Sequence, residues 1–395
     1  MISVEEAKAI VLQNVKVNKP QFLSLAQAGG RVLADDVIAL HEHPLFDMSA
    51  VDGYALGDAT GPWKVVARMA AGEVLGRSLT LGECVRIFTG AQVPAGSHAV
   101  VMQEQCAEMD GTLTINGAVP PQGANIRRKG EGVKANAVLA RKGTRLNAAT
   151  VGQLASCGVA EITVATAPAL SIVRTGGEFI EGSAPQPGRI FSSNERILTA
   201  AIEQFGYSTV ADAFIATDNE AEIRNALLNA CERGDVVIST GGVSVGDHDL
   251  MRAVLKELGA TIHFHGVAQK PGKPMLFATL NSIPVFALPG NPRAVMMCFW
   301  EYVLPFLDAT CGAASPGLRS DHCPIAHAVT VKGERAEFRA ARVRGGKVEL
   351  LANEGSHLLG SLAEADAIAY FPRDVRTWIY EYYVNKNYDL CIALT

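Results

Sequence analysis

The chain has 395 residues, 48% hydrophobic and 19% charged, which is globular composition and excludes a disordered or fibrous protein. At roughly 150 residues per domain, that length predicts two to three domains. Its 35 basic and 40 acidic residues leave a formal charge of -5, which argues against bulk nucleic-acid binding.

No apolar run approaches the roughly 18 residues a membrane span needs. The N-terminus Met1-Ile2-Ser3-Val4-Glu5-Glu6 has neither a basic region nor a cleavable apolar stretch, so no signal peptide is expected. The 8 cysteines include no C-x-x-C pair. That spacing predicts free thiols in a cytoplasmic protein rather than a zinc or dithiol site.

The chain opens on a capping box, Ser3 with Glu6, followed by a helical stripe of Val4, Ala7, Ile10 and Val11. Residues 1–40 read as helical. From 41 to 138 turn glycines are dense and separate short β-type runs, such as 63–66, 84–88, 98–102 and 112–115. That texture predicts a β-rich domain. Residues 139–166 can return to the N-terminal helices, which would make 1–40 and 139–166 one discontinuous domain.

Strand and helix then alternate from 167 to 312: strands at 170–174, 209–215, 235–239, 261–264, 275–278 and 285–288, helices at 193–205, 220–232, 250–258 and 292–307. The pattern predicts a doubly wound α/β domain with a parallel sheet. From 318 to 395 the chain turns β-rich again, with strands at 328–332, 338–343, 347–351 and 367–371, and a small barrel or sandwich is expected.

Ligands bind open α/β sheets at the carboxyl ends of the strands. There the sequence places Thr240-Gly241-Gly242-Val243-Ser244-Val245-Gly246-Asp247-His248-Asp249. Glycines admit close backbone approach and helix-start amides favour an anion; the aspartates then suit a Mg²⁺-phosphate site, or equally a solvated turn capped by Asp249. Lys270-Pro271-Gly272-Lys273-Pro274 offers two lysines to one oxyanion, or is an exposed turn. Leu288-Pro289-Gly290-Asn291-Pro292 offers rigid backbone amides, or plain helix capping. Glu178, after Thr175-Gly176-Gly177, and Asp218 lie at the same edge; their bland readings are a surface carboxylate and a helix cap.

Outside this domain, residues 44–55 interleave Asp and Ser with Phe and Tyr. A basic island comprises Arg127, Arg128, Lys129, Lys134, Arg141, Lys142 and Arg145, and a second set Arg335, Arg339, Arg342 and Arg344 near Ser356-His357. A solvated face is the commoner explanation of such runs. Hydrolase-elbow, P-loop, HExxH and dinucleotide motifs are lacking. Carboxylates, lysines and glycine loops fit transfer at a phosphate or oxyanion, driven by electrostatics and metal.

Five motifs carry a resemblance: S-A-V-D-G-Y-A at 49–55, F-T-G-A at 88–91, T-G-G-V-S-V-G-D-H-D at 240–249, K-P-G-K-P at 270–274 and L-P-G-N-P at 288–292. In that order and spacing the chain resembles the molybdopterin molybdenumtransferases, the MoeA and gephyrin E-domain family, from residue 1 to about Tyr370. The resemblance implies a multidomain α/β protomer. Its central MogA-like domain at 167–312 would join a β-rich domain at 41–138, a helical N-terminal domain and a small C-terminal barrel at 318–395. It also implies a homodimer and Mg²⁺-dependent insertion of molybdate into the dithiolene of adenylylated molybdopterin, releasing AMP.

By that likeness Asp52, Thr89, Glu178, Asp218 and Asp247 are catalytic, with Asp218 and Asp247 handling Mg²⁺ and pyrophosphate. Gly241, Gly242, Ser244, Lys270, Lys273, Pro289, Pro292, Arg342 and Ser356 bind substrate; Lys270, Lys273, Arg342 and Ser356 hold molybdate. Asp52 and Thr89 would serve the partner subunit. A molybdopterin adenylyltransferase and molybdoenzyme apoproteins or chaperones are implied partners. The chain departs from the family at Met48, where Asn is usual, at Gly132, Gly177 and Ser192, where Asp is usual, and in the aromatic tail from Arg373. Those departures keep two alternatives open, an adenylyltransferase-like step and a pterin-binding scaffold with reduced catalysis.

Overall fold

The N-terminal capping box forms: Ser3 Oγ accepts from the Glu6 amide at 3.1 Å, and Glu6 Oε2 accepts from the Ser3 amide at 2.7 Å. Helix Val4–Gln13 follows and buries Val4, Ala7 and Val11. The structure is a computed structural model. It describes residues 1–373 other than 181, 211–212, 244–249, 328, 332–333, 353–354 and 356, and beyond these 377–378 and 382–386.

The helical expectation fails after residue 13. Pro20–Ser24 is a strand with alternating exposure, paired antiparallel with Glu161–Ala165. Val37–Ile38 pairs with Val138–Ala140. Pro20 has no amide for a helix interior, and Gly29-Gly30 stops the short 3-10 turn Leu25–Gln27 from extending. Leu25, Ala28 and Leu33 share one core with Ala140, Leu146, Leu154, Ile162 and Val164, so the chain leaves this core and returns to it.

The intervening segment forms a six-stranded sheet ordered Ala99–Met102, Gly53–Leu56, Glu83–Ile87, Trp63–Met69, Thr112–Ile115, Cys106–Met109. Its central strands are buried on both faces. Ala55, Val85, Ile87 and Val100 face one core, and Tyr54, Leu56, Cys84 and Val101 the other. This is the two-residue period of a strand.

The central seven-stranded sheet runs Ser208–Thr209, Ala169–Thr175, Val236–Thr240, Ile283–Leu288, Leu276–Leu280, Thr261–His265, with Phe214–Ala216 also on Ala169–Thr175. The strand expected at 209–215 is thus two short pieces. The sheet is mixed rather than wholly parallel: Leu276–Leu280 pairs antiparallel with both its neighbours. Asn281 and Ser282, at φ 50° and 69°, close a two-residue hairpin to Ile283–Leu288. Helices cover both faces. Leu198, Ile202, Val295 and Phe299 pack with Leu170, Ile172, Ile238 and Phe286 on one side. Ile223, Leu227, Met251 and Val254 pack with Val173, Val237 and Val285 on the other.

The last helix starts at Pro292 as expected but contains a π turn, Phe299–Val303, before continuing as Leu304–Thr310. The C-terminal strands form a mixed sheet ordered Gln269–Lys270, Ala336–Arg344, Ala367–Phe371, Tyr382–Lys386, Ser320–Cys323, with Lys347–Leu350 on Ala336–Arg344. Among the described residues this path is open, not a closed barrel. Its first strand belongs to the cationic loop of the central domain, which joins the two bodies. Among the described residues no helix is long and apolar enough to cross a membrane.

Candidate active site

Three parallel strands end side by side at Thr175, Thr240 and Leu288. Gly241 and Gly242 follow at φ +82° and +65°. A Cβ on Gly241 would lie 2.7 Å from Thr175 Oγ1 and 2.9 Å from its carbonyl oxygen, so only glycine lets this loop lie on the neighbouring strand. Thr175 Oγ1 donates to the Thr240 carbonyl at 3.0 Å. Asn194, at the start of its helix and 4% exposed, donates to the Gly290 carbonyl at 2.7 Å. Its Oδ1 is buried without a partner among the described residues, a free acceptor at the strand ends.

Beside this edge a cavity of about 450 Å³ opens between the central and C-terminal bodies. Lys270, Pro271, Gly272, Lys273 and Pro274 line it, with Pro289, Asn291 and Arg293 from the next loop and Arg335, Glu337 and Arg339 from the C-terminal sheet. Among the described lining residues, five cations therefore face one carboxylate. Arg293 is 1% exposed and donates to Ser361 Oγ at 2.7 Å. Glu337, 3% exposed, accepts from Arg339 Nε at 2.9 Å and lies 3.9 Å from Lys270 Nζ. An excess of positive donors in a partly dry pocket recognises a small oxyanion.

A second polar group stands in the β-rich sheet. Gly53 begins a strand so close to its neighbour that a Cβ would lie 1.9 Å from the Val101 carbonyl oxygen. This fixes Asp52 just before the strand. Asp52 Oδ1 accepts from the Thr89 amide at 2.8 Å and from its hydroxyl at 2.7 Å. The Thr89 amide and hydroxyl hold the Asp52 carboxyl below the usual carboxylate range, with Arg86 adding to the effect. Arg86 is buried between the Tyr54 and Phe88 rings, 5.2 and 4.6 Å from their centres, and donates to the Gly53 carbonyl.

Two family models match the chain: the MoeA N-terminal region (domain I and II) over residues 2–158, and a probable molybdopterin binding domain over residues 171–309. The molybdopterin molybdenumtransferase of Haemophilus influenzae is 35% identical over 314 residues, 78% of this chain and 77% of the relative. The chain belongs to the MoeA family of molybdopterin molybdenumtransferases. The relative of the same name from a Nostoc species is 36% identical over 331 residues, 80% of this chain and 76% of that protein. The crystal structure of a molybdopterin biosynthesis MoeA protein from Pyrococcus horikoshii superimposes with a TM-score of 0.78 at 27% identity, covering 98% of this chain and 100% of that one.

The residues expected from this family's pattern are distributed unevenly. Lys270, Lys273 and Pro289 line the cavity; Pro292 only starts the adjoining helix. Gly241 and Gly242 lie at the strand ends. Glu178 and Asp218 are exposed on that side of the sheet. Asp52 and Thr89 do not line the cavity of their own chain. Ser244, Asp247 and Ser356 lie outside the described residues.

Arg342 does not line this cavity in the single chain. It bonds to the Glu364 carbonyl and carboxylate, each at 2.9 Å.

Sequence reading passed over Arg293, Glu337 and Arg86, and noted Asn194 only as the end of Ser192-Ser193-Asn194, where the family has Asp-Ser-Asn. A charged residue directly after L-P-G-N-P was the available signal for Arg293. Much of the basic island is neutralised locally: Arg128 pairs with Asp47 at 2.7 Å, and Lys129 and Lys134 approach Glu42 at 3.4 and 3.7 Å. Arg145 instead clamps two bodies, bonding to Asp308, Tyr207 and the Gly30 and Phe205 carbonyls. Of the departures, neither Gly177 nor Gly132 lines the cavity; among the described residues a Cβ at Gly177 would meet nothing within 4 Å and one at Gly132 would meet His43.

Proposed function

We propose that this chain inserts molybdate into the dithiolene of adenylylated molybdopterin and releases AMP. The carrying observation is the five-cation cavity placed beside the glycine loops at the carboxyl edge of the sheet. Lys270, Lys273, Arg293, Arg335 and Arg339 supply charge and N–H donors to a tetrahedral dianion. Gly241 and Gly242 let the pterin substrate's phosphates approach the backbone, and the buried acceptor Asn194 Oδ1 can orient a donor on that substrate.

Mg²⁺ fits this arrangement as an ion shared with substrate phosphates. Among the described residues no three His, Cys, Asp or Glu side chains converge. Asp218 is exposed at the same edge and bonds to no described residue, as a carboxylate waiting for a partly hydrated ion would be. The ion would offset phosphate charge as AMP departs, and Asp218 and Asp247 would hold it.

Asp52 is kept ionised by Thr89 but lies outside its own chain's cavity, which supports a homodimer in which this pair serves the partner's cavity. The test is the metal content of the product. Incubation with adenylylated molybdopterin, Mg²⁺ and molybdate, followed by gel filtration and elemental analysis, should show about one molybdenum per pterin. Pterin that elutes free of molybdenum would refute the assignment.

A further inference from the structure

The cationic loop rests on buried polar groups that the reaction chemistry does not call for. Gln269, the residue before Lys270, is fully buried. Its Oε1 accepts from the Tyr302 hydroxyl. Its Nε2 donates to the Pro271 carbonyl at 3.0 Å and to Cys298 Sγ at 3.7 Å. Both amide protons and the amide oxygen are therefore used. Burial holds the Tyr302 hydroxyl protonated, well above the ordinary tyrosine range, so tyrosine must donate and the amide has one orientation.

Gly272 lies directly on this group. At φ +98°, a Cβ there would stand 2.5 Å from Gln269 Nε2 and 2.8 Å from Cys298 Sγ. Tyr302 itself comes from the π turn Phe299–Val303, a rare element often found beside functional sites. The backbone adds a second attachment: Gln269 and Lys270 pair with Ala336 and Glu337. One side of the loop is thus fixed to the strand that carries Glu337 and Arg339, and its other side to the helix through Gln269 and Tyr302.

We propose that Gln269 and Tyr302 are positioning residues that set the affinity of the cavity for its oxyanion by holding Lys270 and Lys273 at a fixed spacing. Resting on the oxyanion reading of the cavity, the inference concerns binding geometry rather than the transfer step.

The decisive variant is the double substitution Gln269→Met with Tyr302→Phe. Replacing Gln269 and Tyr302 together by apolar groups of similar shape leaves neither of these two polar groups stranded, and it deletes the donor to the Pro271 carbonyl, so melting temperature is measured alongside. Molybdate binding by calorimetry should weaken about 5-fold, the effect of one net hydrogen bond. In turnover the KM for molybdate should rise by the same factor, with kcat and the KM for the pterin substrate unchanged. A merely structural role would not produce that split.

Parental affinity in the double variant would overturn the inference. A parent protein that binds neither molybdate nor tungstate would instead refute the cavity assignment beneath it. Should the double variant fold poorly, Tyr302→Phe alone serves. The Lys270 and Lys273 amides should exchange faster with deuterium and affinity should fall, and no change in either would overturn the proposal.

Discussion

Replacing Lys270 by Gln tests the electrostatics of the cavity with little risk to the fold. Glu337 keeps its Arg339 partner in that variant, so no buried charge is stranded. A unit charge at about 4 Å is worth about 1 kcal/mol in water and about 4 kcal/mol at an effective dielectric of 20. Lys270 lies near the weaker limit because its side chain is 60% exposed, and part of its field is already offset by Glu337 at 3.9 Å. The double charge of molybdate works the other way. The balance is about 1.5–2.5 kcal/mol, or roughly 13- to 70-fold weaker binding. Calorimetric titration with molybdate at low ionic strength reads this directly. The same titration at high salt should show a smaller ratio, since an exposed charge is screened. Affinity within 2-fold of the parent at low salt would refute the electrostatic account.

Two further outcomes follow from groups away from the cavity. Asp308, 3% exposed, accepts from Arg145 and Tyr207 and from the Gly317 amide at 2.8 Å, tying the N-terminal body to the central one. Asp308→Ala should cost about 3 kcal/mol, the low end for a buried pair because the Arg145 side chain stays 31% exposed. That is a fall in melting temperature of roughly 6–12 °C, and a fall below 2 °C would contradict the clamp. In the β-rich sheet, the Arg77 guanidinium and Thr80 amide pull the Glu83 pKa down to about 2. A carboxyl lowered by folding stabilises the native state above its ordinary pKa, and this contribution is lost as pH falls through the lowered value. Acid titration by circular dichroism should therefore show Glu83→Gln less sensitive than the parent between pH 4.5 and 2; superimposable curves would refute the assignment.

Local features were legible in the sequence. The capping box at Ser3 and Glu6, the Pro292 helix start and the glycine loops after Thr175 and Thr240 each follow from a few neighbouring residues. The five motifs led to Lys270, Lys273 and Pro289. Features set by tertiary contact were not legible. Asn281-Ser282 closes a hairpin although Ser is a weaker left-handed residue than Gly, which hid the antiparallel strand. Arg339 lines the cavity whereas Arg342 bonds to Glu364, a difference set by tertiary contact that composition does not encode. Gln269 and Tyr302 are 33 residues apart in sequence, and their pairing depends on the π turn. Residues 14–40 read as helical because apolar spacing alone does not register a strand completed by a partner at 161–165.

The measurement closest to the central claim is AMP release from adenylylated molybdopterin by the purified protein with Mg²⁺, in the presence and absence of molybdate. Release that depends on molybdate is predicted. Release at the same rate without molybdate, or substrate binding with no AMP formed, would contradict it.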